Sequence, residues 1–340
     1  MAGAGERAPL SYILPLRSNE SAAGTELAEY VRWLSTRCET IVVDGSPAHV
    51  YSANAAAWGA GVIHVPPSPS FVTPMGKVGG VLTGVDLASH EHLIIGDDDV
   101  RYDADALDAM NRHLDAADVV RPQNYFSPLP WHACWDTGRT LLNRTSGGDW
   151  PGTLGVRRSV LLRTGGYDGA AMFENLELVR TVRAAGGTER VPLDVYVARR
   201  PSSSRHFFSQ RIRQAYDELA RPTRLVMQLA VLPLSVLIAY QAGWRGLLAF
   251  AVAVAALAEV GRRRAGGTQY FPFRASLCAP AWLAERAICS WLAVGARVTL
   301  GGVPYRGRIL SHAATPMSVL LARFSNLRPL QPTEAPRRSA

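Results

Sequence analysis

Leu225 to Gln241 (LVMQLAVLPLSVLIAYQ) runs 17 residues without a charge, near the lower limit of about 17–25 apolar residues for a bilayer span. After a polar break at Ala242-Gly243-Trp244-Arg245, the stretch from Gly246 to Val260 is apolar again except for Glu259. Such a pair is either a buried helical hairpin of a soluble domain or a membrane hairpin, and the flanking charges favour the membrane. Arg211, Arg213, Arg221 and Arg224 precede the pair, Arg262-Arg263-Arg264 follow it, and only Arg245 lies between. That is the charge bias of a hairpin whose two ends face the cytoplasm. Leu277 to Leu300 is also apolar but carries Glu285-Arg286 and Arg297 with Trp282 and Trp291, which suits a helix lying in the membrane interface.

The first 200 residues read differently. Ser11 to Leu16, Glu39 to Gly45, Gly61 to Val65 and His92 to Gly96 are short apolar runs with strand character. Helical spacing over Thr25 to Thr36 and Ala53 to Ala60, and a helix start at Met75-Gly76-Lys77, alternate with them. This alternation predicts βαβ units around a mostly parallel sheet, and ligands of such sheets bind beyond the carboxyl ends of the strands. The expected organisation is a flexible N-terminus over 1–10, an α/β domain over 11–200 and a basic juxtamembrane segment over 201–224. A transmembrane hairpin over 225–262, an interfacial region over 263–310 and a flexible basic tail over 311–340 complete it.

Composition narrows the class further. With 48% hydrophobic and 19% charged residues among 340, the chain is neither disordered nor fibrous. Cys38, Cys134, Cys278 and Cys289 form no CxxC pair, so neither a zinc site nor a disulfide framework is expected, and a reducing compartment fits. The opening residues lack a basic-then-apolar run with a small-residue cleavage site, so no signal peptide is expected. The net charge of +8 raises the possibility of a nucleic-acid binder, but the arginines cluster beside apolar spans without interleaved aromatics. Among 36 basic residues Lys77 is the lone lysine. Where arginine is the default cation, one lysine marks a place that would reject the wider, planar guanidinium.

Asp97-Asp98-Asp99 directly follows an apolar strand, where three carboxylates repel one another. A divalent cation with a diphosphate relieves that repulsion, since carboxylate oxygens are the hard ligands that Mg²⁺ or Mn²⁺ prefers. Asp44 ends another strand and could accept hydrogen bonds from a base or ribose.

Taken together, these residues resemble the GT-A glycosyltransferases of family 2, including the ceramide-glucosyltransferase-like and processive membrane enzymes. The resemblance runs from about Ser11 to Arg308. Leu14-Pro15-Leu16-Arg17 is similar to the opening strand with its nucleotide-contacting turn, Asp44 to the aspartate that contacts the base, and Gly76-Lys77 to the glycine-lysine element near the donor. Asp97-Asp98-Asp99 resembles the DxD motif; Asp97 and Asp99 would hold the metal, with Asp97 and Asp98 also at the donor. Gly155-Val156-Arg157-Arg158-Ser159 followed by Thr164-Gly165-Gly166-Tyr167-Asp168 is similar to the stretch before the acceptor site. The resemblance implies a GT-A fold (a Rossmann-like, mostly parallel sheet) followed by a transmembrane hairpin and an interfacial helix. It also implies an inverting transfer from a nucleotide-diphosphate sugar to a lipid, lipid-linked or polymer acceptor. A multi-pass cell-membrane location with a cytoplasmic catalytic domain, Mg²⁺ or Mn²⁺ as cofactor and no nucleic-acid partner go with it.

Two departures from the family pattern matter. Glu174-Asn175-Leu176-Glu177-Leu178 stands where the family has an EDxxL motif, so an amide replaces the expected base, and an amide cannot take a proton at neutral pH. Glu174 or Glu177 would then act, or an already ionised acceptor would need no base. Gln210-Arg211-Ile212-Arg213-Gln214 resembles the QxxRW motif over the donor diphosphate, with Gln214 in place of tryptophan. Gln210 and Arg213 would still face the donor there, Arg213 offsetting leaving-group charge. Tyr305-Arg306-Gly307-Arg308 is similar to a WRGR segment, again without its tryptophan. A catalytically degenerate member acting as a membrane scaffold is the alternative that Asn175 and Gln214 raise. His132, His206 and His312 are isolated and read as structural or surface residues, and Trp131 and Trp135 as either acceptor-cleft or core.

Overall fold

The computed structural model describes residues 7–305 and 308–327. Arg306 and Gly307, most of the expected N-terminal segment and the end of the tail, including Arg328, lie outside the described residues. The chain divides into two compact units, one formed by residues 7–122, 151–197 and 316–327, the other by 123–150 and 198–315. The unbroken domain expected over 11–200 is therefore interrupted by residues 123–150, which belong with the later helices.

The first unit is built on β1 (Leu10–Leu16), α1 (Glu26–Ser35), β2 (Glu39–Asp44), α2 (Ala48–Trp58), β3 (Val62–Val65), α3 (Gly76–Leu87) and β4 (His92–Gly96). It continues through β5 (Val100–Arg101), α4 (Ala104–Leu114), β6 (Val119–Val120), β8 (Thr153–Arg157), α6 (Arg158–Thr164), α7 (Glu174–Ala184), β9 (Glu189–Arg190) and β10 (Tyr196–Arg199), on which the chain leaves the unit. Seven strands form one sheet in the order β3-β2-β1-β4-β8-β6-β9. β3, β2, β1 and β4 are parallel, while β8 runs antiparallel to both β4 and β6. The mostly parallel sheet expected from the alternation is present, and its four parallel strands match the four predicted runs to within a residue at most ends. The apolar residues of the inner strands β2, β1 and β4 are buried on both faces, from Ile13 and Leu14 to Ile94 and Ile95, as helices on both sides require, whereas the edge strand β3 is half-buried and leaves Ile63 exposed.

Helix α3 packs unusually close to β1 because its inner face is glycine. A Cβ at Gly80 would lie 3.1 Å from Pro15 Cβ, and one at Gly84 would overlap the side chain of Ile13. Residues 311–327, expected to be flexible, include helix α12 (Met317–Phe324), whose Leu320 and Phe324 are buried with Ala184 and Ala185 of the first unit. That apolar pair is enough to order a segment whose composition alone reads as tail.

The second unit contains β7 (Gln123–Phe126), α5 (Trp131–Asn143), α8 (Ser204–Ser209), α9 (Arg211–Tyr216), α10 (Pro222–Arg263), α11 (Phe273–Leu300) and a small ribbon of β11 (Val303–Tyr305) and β12 (Arg308–Leu310). A straight helix of 42 residues would reach about 63 Å. Yet Arg224, near its start, hydrogen-bonds Asn143 Oδ1 at 2.8 Å, and the carbonyl of Gly261, near its end, accepts from Arg144 Nε at 3.1 Å. The chain must therefore reverse between them, and it does so at Gly243, with φ 60° and ψ −157°. A side chain is disfavoured at such a φ, so glycine is the residue that permits the turn. The hairpin expected from hydropathy is present, each arm of about 20 residues giving about 30 Å. Its tip is open: Tyr240 is 89% and Trp244 70% exposed.

α11 meets both arms near their bases, through Ser276 Oγ on Glu259 (3.0 Å) and Ser290 Oγ on Gln228 (2.9 Å). Its buried face is mostly small or polar, whereas Phe273, Leu277, Ile288, Trp291 and Leu292 are exposed. α10 and α11 are both long and apolar enough to cross a membrane. Close packing of α5 on α11 uses Gly138, where a Cβ would fall 2.8 Å from Ala279 Cα. This contact places residues 131–143 with the later helices.

Candidate active site

The carboxyl ends of β1, β2 and β4 carry Leu16-Arg17, Asp44 and Asp97. After β4 the backbone folds at once into a turn, with Val100 N–H donating to the Asp97 carbonyl at 3.1 Å and Asp97 N–H to the Gly152 carbonyl at 3.0 Å. Asp97 and Asp99 are half-buried on this turn and Asp98 is exposed. The Asp98 carbonyl accepts from Arg101 Nη1 at 2.6 Å. Two carboxylates separated by one residue are thus held by a fixed backbone.

Lys77 comes to that turn from the first turn of α3. Its Nζ lies 2.5 Å from Asp97 Oδ1 and 2.6 Å from Glu174 Oε1. Three local features fix its position. Met75 N–H donates to the Gly169 carbonyl at 2.9 Å, Gly79 N–H donates to Thr73 Oγ1 at 3.1 Å, and the glycine face seats α3 on β1. Burial works against the ammonium's charge, but Asp97 and Glu174 hold it protonated well above the usual lysine range. Tyr167 is buried nearby, and burial pushes its phenol up despite the lysine charge.

Glu174 opens α7, so its carboxylate also faces the positive end of the helix. Its neighbours behave differently from the sequence expectation. Asn175 turns inward and donates Nδ2–H to the Pro151 carbonyl at 2.9 Å, so the amide is used as a donor that a carboxylate could not supply. Glu177, the other expected base, is fully buried on the inner face of α7. Of the two glutamates, Glu174 alone is partly exposed at the cluster.

Asp44, expected to accept from a base or ribose, is fully enclosed. Its Oδ1 accepts from Ser46 N–H (2.9 Å), and its Oδ2 accepts from Asn54 Nδ2–H (2.8 Å) and lies 3.2 Å from His64 Nε2. Burial opposes its charge, but these partners, Asn54 foremost, hold the carboxyl below the usual aspartate range. In this conformation Asp44 shapes the end of β2 and does not present a free acceptor. His64, stacked on Tyr51 with ring centroids 4.1 Å apart, completes this shell. Sequence gave no sign of it, because one histidine in a strand has no spacing to read.

The remaining candidates fall as follows. Leu14 is buried, Pro15 half-buried against Gly80, Arg17 exposed, and Gly76 begins α3. Arg157 and Arg158, read as part of an acceptor-site motif, donate instead to backbone carbonyls of Leu114 and Asp115 and of Val85 and Asp86. They cap the carboxyl ends of α4 and α3, as arginine commonly does.

Gln210 and Arg213 lie in the second unit, both partly exposed. There it is Arg211 that is buried, paired with Asp136 at 2.8 Å and Glu285 at 2.5 Å. Gln214 accepts from Arg211 at 3.0 Å, a bond that the expected tryptophan could not make. Trp135 donates to Glu285 at 3.2 Å and is structural, while Trp131 is 60% exposed. His132 bonds the Ser202 carbonyl at 2.8 Å and His312 lies 3.3 Å from Thr315 Oγ1, as structural residues do. His206 sits on the surface. The four cysteines are free thiols.

Among the described residues, no group of three or more His, Cys, Asp or Glu side chains converges as a complete metal cage. What the turn offers is two half-buried carboxylates. That donor set fits Mg²⁺ or Mn²⁺, which are commonly held by one or two carboxylates with the rest supplied by substrate phosphate and water. A cation already sits on Asp97 in the form of the Lys77 ammonium, so the turn attracts positive charge.

The mixed α/β fold with its mostly parallel sheet matches that of GT-A-type proteins of known structure. The fold is shared with a mannosyltransferase from Pyrobaculum calidifontis, solved with GDP-Man and Mn²⁺, at a TM-score of 0.51 and 18% identity over 85% of this chain and 88% of that one. Mannosyl-3-phosphoglycerate synthase from Rubrobacter xylanophilus (TM-score 0.38, 13% identity, 59% and 69% covered) is more distant. So is glucosyl-3-phosphoglycerate synthase from Mycobacterium tuberculosis, solved with Mn²⁺, UDP and phosphoglyceric acid (0.39, 14%, 58% and 72%). At those scores neither adds to the argument. No protein-family profile and no curated protein matches the sequence.

Proposed function

We propose that this chain is a membrane-associated, metal-dependent, inverting glycosyltransferase that uses a nucleotide-diphosphate sugar. The observation that carries the reading is the meeting of Lys77, Asp97 and Glu174, from three separate elements, at the carboxyl edge of the sheet. Asp97 and Asp99 would hold Mg²⁺ or Mn²⁺, which when bound supplies charge neutralisation for a leaving diphosphate. Glu174 takes the proton of an acceptor hydroxyl as its oxygen attacks the anomeric carbon from the face opposite the nucleotide. The bond to the diphosphate breaks and the configuration inverts. Asn175 holds α7 to Pro151 and so aims Glu174. The Gly76-Lys77 turn fixes the cationic side of the site.

The exposed apolar hairpin supports a membrane location, with the α11 stripe lying in the interface and both hairpin ends on the arginine-rich, cytoplasmic side. A lipid, lipid-linked or growing-polymer acceptor suits an active unit tethered there. The test is a panel of nucleotide sugars offered to membranes containing the chain, with Mn²⁺ or with chelator, following nucleoside diphosphate release and labelled lipid. Metal-dependent turnover of one donor that falls at least about 100-fold in Glu174→Gln supports the reading. No turnover of any donor sinks it and leaves a membrane scaffold.

A further inference from the structure

Lys77 occupies one carboxylate oxygen of Asp97, a residue expected to hold the metal ion. Its Nζ is 2.5 Å from Asp97 Oδ1 and 2.6 Å from Glu174 Oε1, and all three side chains are only partly exposed. A divalent cation approaching Asp97 therefore meets a positive charge already seated there, where water and salt screen poorly. The carboxylates of the turn are also too few to coordinate the cation unaided. A donor diphosphate changes both conditions at once, since it brings additional oxygens and offers the ammonium a new anionic partner.

We infer that Lys77 is a resident counter-ion that closes the metal site to free cation and opens it when a diphosphate arrives, moving from Asp97 and Glu174 to the phosphate oxygens. This rests on the glycosyltransferase reading. The exchange also accounts for lysine at this one place in an arginine chain. A compact ammonium on a flexible stem can change partners, whereas a guanidinium grips a carboxylate with two parallel bonds and fills more space. Release of Lys77 also uncovers the Glu174 oxygen that the ammonium occupies, and does so only once donor is bound.

Two measurements on the full chain in detergent test this. The first follows free Mn²⁺ by its electron paramagnetic resonance signal, with and without GDP or UDP. Wild type is expected to bind Mn²⁺ weakly alone and about tenfold or more tightly with nucleotide. Lys77→Met is expected to bind Mn²⁺ alone about tenfold more tightly than wild type, the order expected from removing one adjacent charge. Arg112→Met, which removes an exposed cation from α4, should leave the affinity unchanged. The second uses ¹³C-lysine labelling of unmodified wild type, which gives one Cε resonance because Lys77 is the only lysine. That resonance should stay in place with Mg²⁺ alone and shift with Mg²⁺ plus GDP or UDP. Equal Mn²⁺ affinity in wild type and Lys77→Met, or a lysine signal that does not move while metal and nucleotide bind, overturns the proposal. Failure of wild type to bind Mn²⁺ with GDP, UDP or any other nucleoside diphosphate of the donor panel overturns the metal-dependent glycosyltransferase reading itself.

Discussion

Both units bury charge, but they do so to different ends. In the second unit Arg211 is closed in by Asp136, Glu285 and Gln214, with its guanidinium 4.5 Å from the ring of Phe207. Burial disfavours the charged arginine and aspartate alike, yet Glu285 and Asp136 hold Arg211 above its usual range, and Arg139 together with Arg211 holds Asp136 well below its own. Such a network is architecture, because every group is fixed by several others. In the first unit the charges sit at the open end of a sheet, and one lysine serves two carboxylates from different elements. Those partners can be exchanged. A charge cluster is thus read better by how easily its members could change partners than by how many it has.

The sharpest way to break this contrast is to remove one charge from each cluster. Glu174→Gln should lower kcat by about 10²–10⁴-fold while leaving the thermal midpoint nearly unchanged, measured by turnover and melting on one preparation. Arg211→Ala should do the reverse. It leaves Asp136 with Arg139 and Glu285 with Trp135, breaks a buried ion-pair network at a cost of about 3–5 kcal/mol, and is visible as a large drop in the unfolding midpoint.

Gly84→Val probes the packing that places Lys77, and overpacking against Ile13 should cost about 1–3 kcal/mol, read from denaturant unfolding. Asn175→Asp should cost about 1–3 kcal/mol near neutrality, because a carboxylate would face the Pro151 carbonyl without a proton to share. Greater stability at low pH than at high pH would identify that cause. The smallest effect concerns Asp44, whose folded pKa is depressed. Its hydrogen-bonded shell stabilises the fold above the unfolded aspartate value of about 3.9, and the contribution fades as pH falls through the lower folded value. Asn54→Ala removes the strongest lowering partner, so acid unfolding should begin at a higher pH than in wild type.

The strands and the hairpin were legible because period and length are local properties. β4 falls where its apolar run predicts, and the turn of the hairpin falls at the glycine inside the polar break. Asp97 and Lys77 were also legible, as a carboxylate at a strand end and a compositional exception. What composition could not convey is which way a polar side chain faces. Glu177 looks as available as Glu174, but α7 buries a face broad enough to include it. Asn175 reads as a lost base until the Pro151 carbonyl appears beside it. Arg157 and Arg158 read as part of the stretch before an acceptor site until the helix ends they cap are in place. The departure of residues 123–150 from the first unit depends on Gly138 meeting Ala279, a contact across more than a hundred residues that no local pattern encodes.

The glycine face of α3 has a bearing on how variant data for this protein should be interpreted. Gly84 lies seven residues along the helix from Lys77, about 10 Å away, and touches neither donor side nor acceptor side of the cluster. A single added methyl there would overlap Ile13 and act as a shim under the helix, expected to displace the ammonium at the far end as well as to weaken the packing. A functional screen would then flag position 84 as though it took part in the chemistry, when it sets only the height at which the lysine is carried.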